Sequence, residues 1–354
     1  MSPKWILLGT DKGKGIYRAA WNAATGEVGA PELAAEAVRP AYLAMHPTLP
    51  VLYSANEAPN VEGSVSSFRV DRSNGSLTEL NSFGSHGIGP CYVSVDATRA
   101  YAANYNSGSL GAYGIDKDGF LVDTVAGFDC LSHPGACGAL GPVKSRQDGP
   151  HFHCAVIAPA GQILVCDLGS DAIFVFSPPK EALAVPLRYA TRPGSGPRHV
   201  AFHPNGRWVY CIHELDCTID LFDWDVTAGH AALTSRADSA ISTLATPAHL
   251  PGSTACELVL SDDGRFLYAN TRGEDSLVVY RIDPKTGLLS EQQRLASGGK
   301  VTRHIAFDPT RRWLLCAHQG SSAITVFAHD TATGKLSESP KTFTAETPMF
   351  IQFV

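Results

Sequence analysis

Two histidines stand one residue apart in Arg146-Gln147-Asp148-Gly149-Pro150-His151-Phe152-His153-Cys154, just ahead of the apolar run Ala155-Val156-Ile157-Ala158. A strand sends alternate residues to one side, so His151 and His153 are expected to point the same way, as two metal ligands or an acid/base pair would. An imidazole titrates near neutrality and can act first as base and then as acid. Downstream, Arg198, Arg272 and Arg303 and the carboxylate of Glu214 lie at the ends of strand-like runs. A guanidinium offers a fixed fork of donors to an oxyanion, carboxylate or phosphate. Each residue alone also has a plainer reading. A histidine pair can simply open a strand, Arg303 can salt-bridge a neighbour, and Asp167 and Asp171 can close turns through Asx hydrogen bonds. His46, His199 and His203 are expected to be structural. The functional reading depends on what brings the set together.

That scaffold is a repeat of roughly 45–60 residues, the spacing of propellers and solenoids. Its clearest copy runs from Pro197-Arg198-His199-Val200-Ala201-Phe202 through the turn His203-Pro204-Asn205-Gly206 to Trp208-Val209-Tyr210-Cys211-Ile212-His213-Glu214, with a third strand at Thr218-Ile219-Asp220-Leu221-Phe222. The glycine supplies the positive φ of the reversal. Further copies open at Pro40, Pro90, Pro150, Cys256 and Arg303, making six in line. The carboxyl end, Pro348-Met349-Phe350-Ile351-Gln352-Phe353-Val354, reads as a first strand without a second, and Trp5-Ile6-Leu7-Leu8-Gly9 as a second without a first. Joining them completes a seventh unit and closes a ring with no exposed sheet edge. The expectation is therefore an all-β chain, residues 1–354 forming one seven-bladed β-propeller of four-stranded antiparallel blades, closed by pairing the C-terminal strand with N-terminal strands. Residues 130–148 read as an elaborated loop before the blade that opens at His151, and residues 178–196 as a second loop after that blade's third strand.

In such a blade the first strand starts, and the second ends, at the same rim of the central channel. His151, Arg198 and Arg303 at strand starts, and Glu57, Asn104, His213, Glu214, Arg272 and Gln319 at strand ends, are thus expected to share one mouth. Arg146 and Gln147, on the last approach of the long loop, join it as possible lid or substrate contacts. Other blades place small or apolar residues there, and this asymmetry suits a ligand better than general solvation.

The bulk properties narrow the partners. A formal net charge of -6, 18% charged residues and no basic tract leave no electrostatic footprint for nucleic acid or anionic membranes. The apolar run at Trp5 is too short for a signal sequence or a membrane span. Nine cysteines, without a CxxC pair and mostly inside apolar runs, are expected to be buried reduced thiols in a cytoplasmic protein. No dinucleotide fingerprint, P-loop or Gly-x-Ser-x-Gly elbow is present, and no cofactor is expected. The oligomeric state is expected to be a monomer or weak homodimer.

Arg146-Gln147, Pro150-His151-Phe152-His153, Gly196-Pro197-Arg198-His199, His213-Glu214-Leu215 and Thr271-Arg272-Gly273-Glu274-Asp275-Ser276 resemble the lactonase family of seven-bladed β-propellers. That family includes the propeller-type 6-phosphogluconolactonases and the fungal carboxy-muconate lactonizing enzymes. The resemblance implies an active site of one histidine, two arginines and a glutamate. These fall on His151 or His153, Arg198, Arg272 and Glu214, with Thr271 and His213 where the family often has asparagine. It implies hydrolysis of a sugar δ-lactone, most simply 6-phospho-D-glucono-1,5-lactone, a small and anionic substrate. In that scheme a histidine activates water with Glu214 orienting it. Arg198 and Arg272 divide oxyanion stabilisation and anchoring, Arg303 is a reserve anchor, and Asn104 and Gln319 bind hydroxyls. Three alternatives stand beside it: another aldonolactone or carboxylated lactone, a divalent cation held by His151, His153 and Glu214, and a non-catalytic scaffold presenting its rim to a protein.

Overall fold

The computed structural model describes residues 4–58, 60–179, 182–227, 230–236 and 238–354. The apolar runs form the second strand of each blade, and these strands are buried along their length, as in Val51–Asn56, Ile163–Asp167 and Trp208–His213. A strand covered on both faces has no need of alternation, which is why these runs are continuously apolar. The covering comes from neighbouring blades. Phe128, for example, packs with Phe152, Phe174 and Phe176 across the gap between two sheets.

Seven antiparallel sheets result. In chain order we number the blades 1 (residues 40–88), 2 (90–129), 3 (152–190), 4 (197–242), 5 (254–296), 6 (302–344) and 7 (348–353 with 5–36). The innermost strands of successive blades touch one another around a complete ring. Closure is as expected: Pro348–Phe353 pairs antiparallel with Trp5–Thr10. Blades 4 and 7 each carry one extra two-residue strand, Ile241–Ser242 and Glu27–Val28.

Adjacent blades are latched at the rim opposite the channel mouth. In blades 1, 5, 6 and 7 the turn between third and fourth strands reaches the neighbouring blade and sets a glycine flat on its aromatic side chain. A Cβ on Gly287 would lie 2.8 Å from the Trp208 ring, and Gly287 has φ +76. Gly26 on Trp313, Gly75 on Trp5 and Gly334 on Phe266 repeat this contact. His46 and His203 are structural, as expected: each spans to the next blade, through Nε2 to the carbonyls of Ala97 and Gly264.

Two expectations are corrected. Cys130 and Cys137 form a disulfide across a one-turn helix, Pro134–Cys137. The expectation of reduced thiols therefore holds only for the seven other cysteines, all buried. The spacing of seven residues gave no CxxC signal, and the bond instead staples an irregular loop. The stretch 178–196 is not all loop, since it contains the fourth strand of blade 3, Leu187–Ala190. That strand is short and its register runs over only four pairs, so its period was invisible. Residues 180 and 181 lie outside the described residues.

Candidate active site

At the mouth end of every innermost strand the ladder to the second strand skips. Pro40 pairs with Asn56 and Tyr42 with Ala55, leaving Ala41 unpaired. The residue left out in the other blades is Cys91, His153, Arg198, Arg303 or Met349, and in blade 5 both Cys256 and Glu257. A bulge of this kind re-aims a side chain without disturbing the rest of the strand. Here it recurs seven times around one channel and selects the residues of its mouth.

The bulge resolves the histidine pair. His153, not His151, is the counterpart of Arg198 and Arg303. The matching by proline misled: Phe152, paired with Asp167, corresponds to Pro197, paired with His213. Pro150 lies before the strand. His153 lines a cavity of about 340 Å³ together with Glu57, Cys91, Arg146, Glu214, Arg272 and Arg303, and with Tyr105, Asn106 and Thr254. His151 sits aside, stacked on the Tyr105 ring at 4.4 Å, with Nδ1 2.9 Å from the Tyr105 carbonyl and Nε2 3.0 Å from Asp148 Oδ1. With both its nitrogens engaged, His151 does not share a ligand set with His153 and Glu214. Among the described residues no group of three or more His, Cys, Asp or Glu is placed to hold a metal ion.

Glu214 is the electrostatic centre. Arg146 Nη2 donates to its Oε1 at 2.6 Å, Arg198 Nε to its Oε2 at 3.0 Å, and Arg272 Nη2 stands 3.0 Å from Oε2. His153 Nε2 lies 3.7 Å from the same Oε2. Burial pushes this carboxyl up, but Arg272, Arg198 and Arg146 outweigh it and hold it well below the usual carboxylate range. Burial holds the His153 imidazole well below the ordinary histidine value, with Arg198 and His199 adding to it against the pull of Glu214. At neutral pH the site therefore presents a fixed carboxylate beside a neutral imidazole.

The four arginines differ. Arg198 is 2% exposed, donates also to the Cys256 carbonyl, and is absent from the cavity wall. It supports Glu214 from behind and is not placed for the direct substrate contact expected of it. Arg272 lines the wall, and its Nε and Nη2 make no aligned hydrogen bond. Arg303 lines it too and has no carboxylate partner among the described residues; burial and the nearby Arg272 depress its guanidinium from its ordinary value. Glu57 closes the opposite side, 3.4 Å from Arg39.

Several expected contacts are elsewhere. Gln147 is fully buried, accepting from the Val143 N–H and donating to the Leu168 carbonyl, so it holds its loop down and cannot meet a substrate. His213 is fully buried, with Nε2 2.9 Å from Asp220 Oδ2, because the last residue of a fully covered strand turns into the blade. Asn104, also fully buried, donates to the Ser85 carbonyl and Ser109 Oγ. Gln319 is tied to Asp11 Oδ2 at 2.8 Å on the rim. Asp167 closes its turn, as the plainer reading held, whereas Asp171 accepts from the N–H groups of Gly194 and Gly196 and so holds the loop ahead of blade 4 instead of closing a local turn.

Beneath the cavity lies a floor that sequence reasoning missed. The residues following the bulges pack on one another from blade to blade around the axis: Tyr42 and Tyr92 at 4.0 Å, Tyr42 and Phe350 at 4.1 Å, His304 and Phe350 at 3.8 Å. His199 joins them, its Nδ1 2.8 Å from Glu257 Oε1. The signal available was the residue two places after each strand-opening proline, where Tyr42, Tyr92, His199 and Phe350 stand in register.

Comparisons with known proteins agree with this architecture. Residues 6–353 match the family described as Lactonase, 7-bladed beta-propeller. The chain is 30% identical over 344 residues to a 6-phosphogluconolactonase of Bacillus subtilis, covering 96% of this chain and 95% of the relative. It is 30% identical over 352 residues to a 6-phosphogluconolactonase of Formosa agariphila, covering 94% of each. The solved structure of a periplasmic gluconolactonase from Pseudomonas aeruginosa superposes with a TM-score of 0.88 at 28% identity, covering 99% of this chain and 98% of that one.

Proposed function

The chain belongs to the lactonase family of seven-bladed β-propellers, and we propose that it hydrolyses a sugar δ-lactone bearing an anionic group, 6-phospho-D-glucono-1,5-lactone first among them, to the open acid. The observation that carries the reading is Arg303. Among the described residues this guanidinium has no carboxylate partner, and on the wall it shares with Arg272 and His153 it is a place for a negative charge.

In this mechanism the neutral His153 takes the proton of an attacking water and returns it to the leaving ring oxygen. Glu214 stays ionised throughout. It orients the imidazole and stabilises the imidazolium that forms, while Arg198 keeps the carboxylate in place. Arg272 faces the carbonyl oxygen as it becomes an oxyanion, Arg303 anchors the anionic group, and Glu57 accepts from sugar hydroxyls. The test is hydrolysis of freshly made 6-phosphogluconolactone, followed with a pH indicator and corrected for the spontaneous rate. Wild type should exceed Arg303→Ala and His153→Ala; equal rates for all three at the spontaneous level would overturn the reading. A panel of neutral and carboxylated lactones decides between this substrate and the alternative ones.

The proposed compartment is the cytoplasm, supported by the seven buried free thiols. The Cys130–Cys137 disulfide argues the other way, since such bonds persist in oxidising compartments. No helix among the described residues is long and apolar enough to cross a membrane. Trapping the thiols in intact cells decides: a disulfide already formed there removes the cytoplasmic assignment.

A further inference from the structure

The three guanidinium groups on Glu214 differ in freedom. Arg198, with a side chain 3% exposed, is committed to Glu214 and the Cys256 carbonyl. Arg272, 13% exposed, rises from the second strand of blade 5. Arg146 is 38% exposed and comes from the loop outside the blades, and among the described residues its side chain's other polar contact is Tyr105 Oη at 3.2 Å. Its backbone is nevertheless fixed. The N–H groups of Arg146 and Gln147 both donate to the Val143 carbonyl, and the buried Gln147 amide ties the segment to Leu168. A Cβ on Gly141 would lie 2.1 Å from Gln147 Oε1, so only glycine lets the chain pass this amide. Arg146 is thus a part-exposed arm on a fixed pivot. Among the described residues it alone holds Oε1 of the carboxylate whose Oε2 faces His153.

We propose that Arg146 makes hydrolysis respond to the anion of the substrate: a phosphate or carboxylate entering beside Arg303 draws Arg146 off Glu214 Oε1. The freed oxygen then leaves the carboxylate's charge less shared and better able to stabilise the imidazolium of His153 during proton transfer. Two anions compete for one part-exposed guanidinium, and Arg303, without a carboxylate partner among the described residues, brings the second anion within the same cavity. Arg146 is therefore a specificity-determining residue, favouring anionic lactones through rate as well as through binding. The inference rests on the lactonase reading above.

The test separates the anion from the lactone. Wild type and Arg146→Met are assayed on neutral glucono-δ-lactone with and without inorganic phosphate, and on 6-phosphogluconolactone. Phosphate is expected to accelerate wild-type hydrolysis of the neutral lactone about fivefold or more, the range of an ordinary coupling between two sites. It should leave the rate of Arg146→Met unchanged. Phosphate that only inhibits wild type, or that activates Arg146→Met equally, overturns the inference while the enzyme reading stands. If wild type hydrolyses neither lactone above the spontaneous rate, the lactonase reading falls and takes this inference with it. Should Arg146→Met not fold, Gln147→Ala, which loosens the pivot and spares the arm, carries the same readout: its phosphate response should shrink.

Discussion

His153 and His151 differ by one position of the bulge and by everything that follows from it. One faces a cavity beside Glu214, the other lies between Tyr105 and Asp148. Replacing His153 by glutamine should lower kcat/KM on the order of 100-fold or more, the ordinary contribution of a positioned base. His151→Gln should cost far less, and steady-state rates on 6-phosphogluconolactone measure both. The pH profile is a separate check. His153 is held well below the ordinary histidine value by burial, with Arg198 and His199 adding to it, so the base is already unprotonated across the neutral range. The limb of kcat/KM that rises with pH should therefore lie below pH 6.5, with a flat profile above it. A midpoint at or above 6.5 would mean that another group is the base.

The blade is the repeating unit, and its neighbours hold it through the glycine latch. Its latch predicts that Gly287→Ala destabilises the protein by about 1–3 kcal/mol, since φ +76 and the Trp208 ring both oppose a Cβ. Thermal unfolding should show the loss while lactone hydrolysis at 25 °C is kept, because the latch lies at the rim away from the cavity. The hairpin grammar was legible because buried second strands and proline-glycine turns leave a periodic trace. Two features were not. A bulge changes no composition, so alternation from Pro150 aimed His151 into the mouth, and Gln147 next to Arg146 carried no sign that its amide faces inward. The disulfide was hidden for a related reason: Cys130 and Cys137 meet through a loop conformation with no repeat to reveal it.

Ring closure could be read from the two incomplete ends, and it predicts how the whole molecule fails. Deleting residues 348–354 should leave Trp5–Thr10 as an open edge. The truncated chain should then lose its cooperative unfolding transition and elute as aggregate on gel filtration. Stability should also fall with acid in two stages. Burial holds His304 and His318 down to about 4, against 6.5 when exposed. The unfolded chain therefore takes up these protons first, and stability declines as pH falls from 6.5 to about 4. Glu257 continues the loss below pH 4.5: burial alone would raise it, but His199 outweighs that and holds it down to about 2. Its stabilisation is complete above 4.5 and gone near 2. Denaturant titrations at stepped pH measure both stages. The floor of Tyr42, Tyr92, His304 and Phe350 has a kinetic meaning as well. The cavity above this floor is one pocket of about 340 Å³, so the acid formed occupies the place the next lactone must take. Product and substrate are then mutually exclusive tenants, and the open-chain acid should inhibit competitively, raising KM while leaving kcat untouched.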